Sequence, residues 1–133
     1  MEELKDFLGM ESCFGYHTDL HLGELDLDAG AGAIPDELEK SLRIVMPDWV
    51  QVDGKGHRGY TSWFSKVPDA AVAPHLQHDA VAAWREASRR LGIQLVVHYS
   101  GFLDLIAGQK HPEWLAVPSP AMDKRDPENF RDM

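Results

Sequence analysis

Three short apolar runs, each closed by polar side chains and separated by helix-patterned segments, restrict this chain to a parallel α/β architecture. The runs are Cys13–Tyr16, Trp49–Val52 and Ile93–Tyr99. Between the first two, Pro35 opens a segment with Asp36, Glu37 and Glu39 in its first turns, where the helix dipole favours acids. Ile34, Leu38, Leu42 and Val45 recur at helical spacing, and Pro47 stops the pattern. A second helix is expected from near His78 to Leu91, with Ala80, Trp84, Ala87 and Leu91 along one side and Gly92 as its stop. That spacing makes Trp84 a core residue. The order is therefore β-α-β-α-β, which requires parallel strands joined by right-handed crossovers. Ile93–Tyr99 is nearly all apolar, as expected of a parallel strand buried on both faces.

The 133 residues suffice for one domain with one core. Apolar residues make up 44% and charged residues 26%, which excludes a disordered chain. A net charge of −9 repels phosphate backbones and argues against a nucleic-acid partner. Arg85, Arg89 and Arg90 lie along one predicted helix among acids and read as a solvated face. Cys13 is the only cysteine, so no internal disulfide forms; it reads as a small buried hydrophobe. The N-terminus Met1-Glu-Glu-Leu-Lys-Asp lacks the basic and apolar regions of a signal peptide. No run approaches the roughly 18–20 apolar residues of a membrane span, so a cytoplasmic location is expected.

In α/β folds ligands bind at the C-terminal ends of the strands. Polar groups gather at all three ends: His17, Asp19 and His21; Asp53, Lys55 and His57; His98, Tyr99 and Ser100. Three equivalent positions predict one shared cleft. His17-x-Asp19-x-His21 has a second reading, since alternate residues of a strand face the same way and could hold one metal ion. Gly54-Lys55-Gly56 is not a phosphate loop: the GxxxxGK[ST] spacing is absent and no helix follows directly. Its glycines suit a sharp turn. Tyr60, Trp63 and Phe64 then supply aromatic rings that either stack on a sugar or pack the loop.

Taken in order, Lys55-Gly-His-Arg-Gly-Tyr-Thr-Ser-Trp-Phe-Ser-Lys66, a helix carrying Trp84-Arg85-Glu86, and Leu95-Val-Val-His-Tyr-Ser-Gly101 resemble the α-L-fucosidase-like glycoside hydrolases, closest to a bacterial branch of them. That family carries a Lys-His-His-Asp-Gly-Phe stretch with a downstream Trp, and later a Gly-Leu-Tyr-Tyr-Ser type segment. The resemblance implies the first three strands or so of a (β/α)8 TIM barrel over residues 13–117. Residues 1–12 form a lead-in, and 118–133 a polar tail or truncation point. It makes His57 a ligand of sugar hydroxyls, Trp63 a pocket tryptophan and Tyr99 the second tyrosine of the later motif, with His98 in place of the first. Gly56 stands where the family often has another His, and Arg58 where it has Asp.

The expected substrate-binding set is thus His17, Asp19, Asp53, Lys55, His57, Trp63, His98 and Tyr99, with no cofactor or metal. In the resembling enzymes the nucleophile follows the fourth strand and the general acid comes later still. Asp53 and Asp104 are the nearest carboxylates, but nothing matches them to those roles, so the catalytic residues stay unknown. The expected function is the sugar-binding N-terminal portion of a glycoside hydrolase, a catalytically incomplete fragment with a carbohydrate partner. Its open sheet edges invite self-association. The alternatives are a small metal-dependent hydrolase using His17, Asp19 and His21, and a non-catalytic α/β binding module.

Overall fold

The computed structural model describes residues 14–115. Strand β1 (Gly15–Thr18) leads through a long loop to helix α1 (Pro35–Val45). Strand β2 (Trp49–Lys55) is followed by a second long loop and helix α2 (Ala80–Leu91). Strand β3 (Gln94–Tyr99), the short helix α3 (Leu105–Lys110) and a 3-10 turn (Pro112–Trp114) complete the order. The strands form one parallel sheet in the order β1-β2-β3, with Gly15 opposite Trp49 and Trp49 opposite Gln94. Cys13 and the predicted tail lie outside the described residues. Among the described residues, no helix is long and apolar enough to cross a membrane.

The local chemistry explains the helix bounds. Pro35 sits at the start of α1, where its missing N–H costs nothing, and Asp36 and Glu37 occupy the first turn. Met46 ends the helix in the left-handed region at φ 45°, with its N–H on the Leu42 carbonyl. The Asp79 carboxylate caps α2 by accepting from the Ala82 amide at 2.8 Å, and Gly92 closes it at φ 69°.

Both helices cover one face of the sheet. Leu42, Val50, Val52, Trp84, Ala87 and Ile93 form the main core, with Leu20, Leu38, Leu91 and Leu95 packed against it. Ala87 is fully buried and lets α2 come close to β2. Arg90 is more than a solvated charge: it bonds Asp36 at 2.7 Å and Glu39 at 3.0 Å, tying α2 to α1.

Two strand expectations need correction. The second strand runs past Val52 to Lys55, because Gly54 makes an irregularity in the β2–β3 ladder instead of ending the strand. The third strand is not buried on both faces. It is an edge strand in this sheet, with Val96 40% and Val97 43% exposed.

Gly54 holds that irregularity by lacking a side chain. An added Cβ would stand 2.7 Å from Val97 Cγ1, 3.1 Å from the Trp63 ring and 3.3 Å from the His98 carbonyl oxygen. Gly54→Ala is expected to cost about 1–3 kcal/mol, the usual penalty for overpacking. Urea unfolding followed by tryptophan fluorescence measures it; an unchanged midpoint would contradict this packing.

Candidate functional site

On the face of the sheet away from the helices, Asp53 is the centre of a ring of histidines. Val50 and Val52 point into the helix-covered core, so alternation turns Gln51 and Asp53 to the other face. The register sets His17 opposite Gln51 and His98 opposite Asp53. Asp53 is 2% exposed. One of its carboxylate oxygens lies 3.4 Å from His17 Nε2 and 3.8 Å from His98 Nδ1. The other accepts from the Leu20 amide at 3.3 Å and lies 3.6 Å from His21 Nε2. Burial pushes the Asp53 carboxyl up. Hydrogen bonds from Asp19, His17 and the Leu20 amide, with the charge of His98 nearby, outweigh burial and leave it below the ordinary carboxylate value.

His57 joins the ring from the loop after β2. Its imidazole centroid is 5.2 Å from that of His21 and 6.2 Å from that of His98. The Ser100 hydroxyl gives its only proton to the Leu103 carbonyl at 2.6 Å, so at 2.9 Å it can only accept from His57 Nδ1. The neutral His57 ring therefore offers Nε2 as an acceptor.

Lys55, Trp63 and Tyr99 do not share this cleft, which corrects the expectation of a single one. Tyr99 follows His98 and so faces the opposite side, and the irregularity at Gly54 carries Lys55 over with it. The Lys55 ammonium pairs with Asp104 and sits 4.5 Å above the Tyr99 ring, whose centroid is 6.4 Å from Trp63. Burial pulls the Lys55 ammonium down; the Asp104 carboxylate more than restores it, and its value is raised. These residues line a cleft of about 280 Å³ with Trp114 and His111 at its far wall. Tyr60 lies elsewhere, donating to Glu24 at 2.7 Å, and burial pushes its phenol up to about 12. Phe64 is exposed.

The His17, Asp19, His21 grouping is also altered. The atoms that lie within 4.8 Å of one another belong to Asp19, His21 and Asp53, while His17 turns to Asp53. Asp19 Oδ1 is 2.9 Å from His21 Nε2. The reading of single residues missed Asp104 as a partner. Its signal was local: Asp104 precedes a helix-forming run, and it caps α3 by accepting from the Ala107 amide at 2.8 Å.

Solved structures share this fold. α-L-Fucosidase isoenzyme 2 from Paenibacillus thiaminolyticus superposes with a TM-score of 0.71 at 22% identity, covering 82% of this chain and 16% of that one. The fold is α-L-fucosidase-like. The Thermotoga maritima α-fucosidase gives a TM-score of 0.52 at 24% identity over 81% of this chain and 23% of its own. The Bacteroides thetaiotaomicron GH29 α-L-fucosidase gives 0.53 at 18% identity over 87% and 32%. The chain thus spans less than a third of these fucosidase-like neighbours. No family model and no curated protein matches it.

Proposed function

We propose that this chain is the sugar-binding N-terminal portion of an α-L-fucosidase-like glycoside hydrolase, and that it does not hydrolyse glycosides by itself. One observation carries the reading: in a fucosidase-like sheet, His17, His57 and His98 converge with Asp53 where three parallel strands end. Imidazoles accept from and donate to sugar hydroxyls, and a carboxylate accepts from them. Lys55, Trp63 and Tyr99 on the other side form an aromatic wall suited to the rest of a saccharide.

Hydrolysis needs more. Retaining cleavage takes two carboxyls about 5–5.5 Å apart across the bond. At the histidine ring the two acids among the described residues, Asp19 and Asp53, have carboxylate oxygens within 4.8 Å of each other, closer than that separation. L-Fucose is therefore expected to bind weakly and saturably, and an aryl α-L-fucoside to stay intact. Turnover by the purified 133-residue chain, abolished by Asp53→Asn, would refute the catalytic half of the proposal. Absence of saturable fucose binding would refute the other half. The exposed edge of β3 is where a further strand, or a second copy of the chain, would pair.

A metal-dependent hydrolase is the second reading, favoured by the grouping of Asp19, His21 and Asp53. It predicts that zinc, and not sugar, is the ligand that perturbs His21.

A further inference from the structure

The cleft that holds Lys55 and Tyr99 has fixed walls. The loop after β2 folds back on its own strand, with Thr61 bridging Lys55 on one side and Val72 on the other. Helix α3 is fastened to the same loop: the Leu105 and Ile106 amides donate to the His57 and Arg58 carbonyls at 3.1 and 3.3 Å. Further along α3, Lys110 Nζ donates to the Asp69 carbonyl oxygen at 2.9 Å. Walls tied in this way lose little freedom when a ligand enters.

The aromatic rings are held too. Trp63 rests on Gly54, where an added Cβ would stand 3.1 Å from the indole, and its ring centroid is 6.4 Å from that of Tyr99. At the far wall His111 stacks on one face of Trp114, with centroids 3.8 Å apart and planes 12° apart. The other face of that indole stays open. Tyr99 is 59% exposed and Trp114 is 66% exposed. Apolar surface left open and gathered in one concave place marks a binding site.

The charges narrow the ligand. Lys55 and Asp104 neutralise each other. Lys110 and Asp69 add one charge of each sign, and among the described residues nothing bonds the Asp69 carboxylate. An ion of either sign therefore gains nothing net. A hydroxyl both donates and accepts, and so meets the free carboxylate and the remaining N–H groups of Lys110. The volume of about 280 Å³ is at the small end for ligand sites and fits one ring. A flat apolar face, hydroxyl edges and no charge together describe a pyranose.

We infer that this cleft is a second carbohydrate site, separate from the histidine ring, which takes one neutral pyranose by stacking on Trp114 beside Trp63 and Tyr99. It rests on the carbohydrate reading above for the class of ligand. The backbone of β2 and β3 lies between the two sites, so directly linked rings do not fill both. The cleft takes a ring farther along a glycan, or one on a separate glycan.

The test is a titration of the ¹⁵N-labelled chain with methyl β-D-galactopyranoside, whose C3, C4 and C5 hydrogens form one apolar patch. The four tryptophans supply four indole N–H signals, and Trp84, buried in the core, is the internal control. Trp63 and Trp114 are expected to shift along one saturating curve while Trp84 and the imidazoles of His17, His57 and His98 stay still. Trp114→Ala should weaken binding about tenfold, and Trp114→Phe, which keeps a ring to stack on, by no more than about threefold. An unmoved Trp84 signal shows that each variant is folded. Equal losses in the two variants would overturn stacking on Trp114. Indole and imidazole signals moving on one curve would make the two sites one and overturn the inference. Shifts confined to the imidazoles would overturn it too, leaving the histidine-ring reading intact. If the galactoside moves no signal, the cleft is no pyranose site, and L-fucose, read at the imidazoles, then decides the histidine ring by itself.

Discussion

Asp53→Ala is expected to destabilise the chain by about 3 kcal/mol and to abolish measurable fucose binding. The carboxylate is 2% exposed and serves several groups at once. Removing it strands the Leu20 amide, for which a buried unsatisfied donor costs roughly 1–3 kcal/mol. It also removes the common partner of His17, His21 and His98, whose rings come from three separate segments. The effect depends on pH with a definite sign. The folded carboxyl lies below its ordinary value of 3.8, so its stabilisation is fully present above the unfolded range. It is lost as pH falls through the lower, folded value. Asp53→Asn keeps the shape and one acceptor oxygen but cannot ionise. It should be less destabilising than alanine at neutral pH, and should lose less stability than the wild type on going from pH 6 to pH 3. Urea midpoints across that range measure the difference; parallel curves for the wild type and the asparagine variant would show that Asp53 carries no ionic stabilisation.

The parallel sheet and its two main helices were legible because each is written locally. Pro35, the acids after it and Pro47 bracket α1, and Asp79 and Gly92 bracket α2. The apolar spacing of Leu38 and Leu42, and of Ala80, Trp84 and Ala87, matches the faces that are buried. The division of the polar residues into two groups was not legible. It turns on a single residue, Gly54, which reads as a strand breaker but is accommodated inside β2, reversing the side on which Lys55 emerges. The exposure of β3 was hidden for another reason. A run such as Leu95-Val-Val records the burial its composition is suited to, and in this three-stranded sheet one side of it has no neighbour. The nearness of His21 to Gly56, 35 positions along the chain, is a contact that spacing within its own loop cannot show.

Lys55→Met should cost about 3 kcal/mol, and the loss should be recovered in part by a second substitution at Asp104. Lys55 is 7% exposed and its ammonium is held by the Asp104 carboxylate and the face of Tyr99. Methionine keeps the stem's packing, so the loss reports the charge. Breaking one side of a buried pair costs roughly 3–5 kcal/mol, because the other charge is left without a partner. The lower end applies here: the Asp104 side chain is 20% exposed and still accepts from the Ala107 amide. Asp104→Asn removes the stranded charge and keeps a capping oxygen, so the double variant should be more stable than the sum of the single losses predicts. Gly59 provides a separate route to the same pair. Its φ is +95° and an added Cβ would fall 2.2 Å from Asp104 Oδ1, so Gly59→Ala should disrupt the ion pair without touching either charge. The pH sign is opposite to that of Asp53. The folded ammonium lies above its ordinary value of 10.5, so its stabilisation is complete below that value and disappears as pH rises through the folded one. The gap in stability between wild type and Lys55→Met should therefore narrow in strong alkali. A gap that stays constant would assign the loss to packing of the stem, and additive single and double losses would show that Lys55 and Asp104 contribute independently.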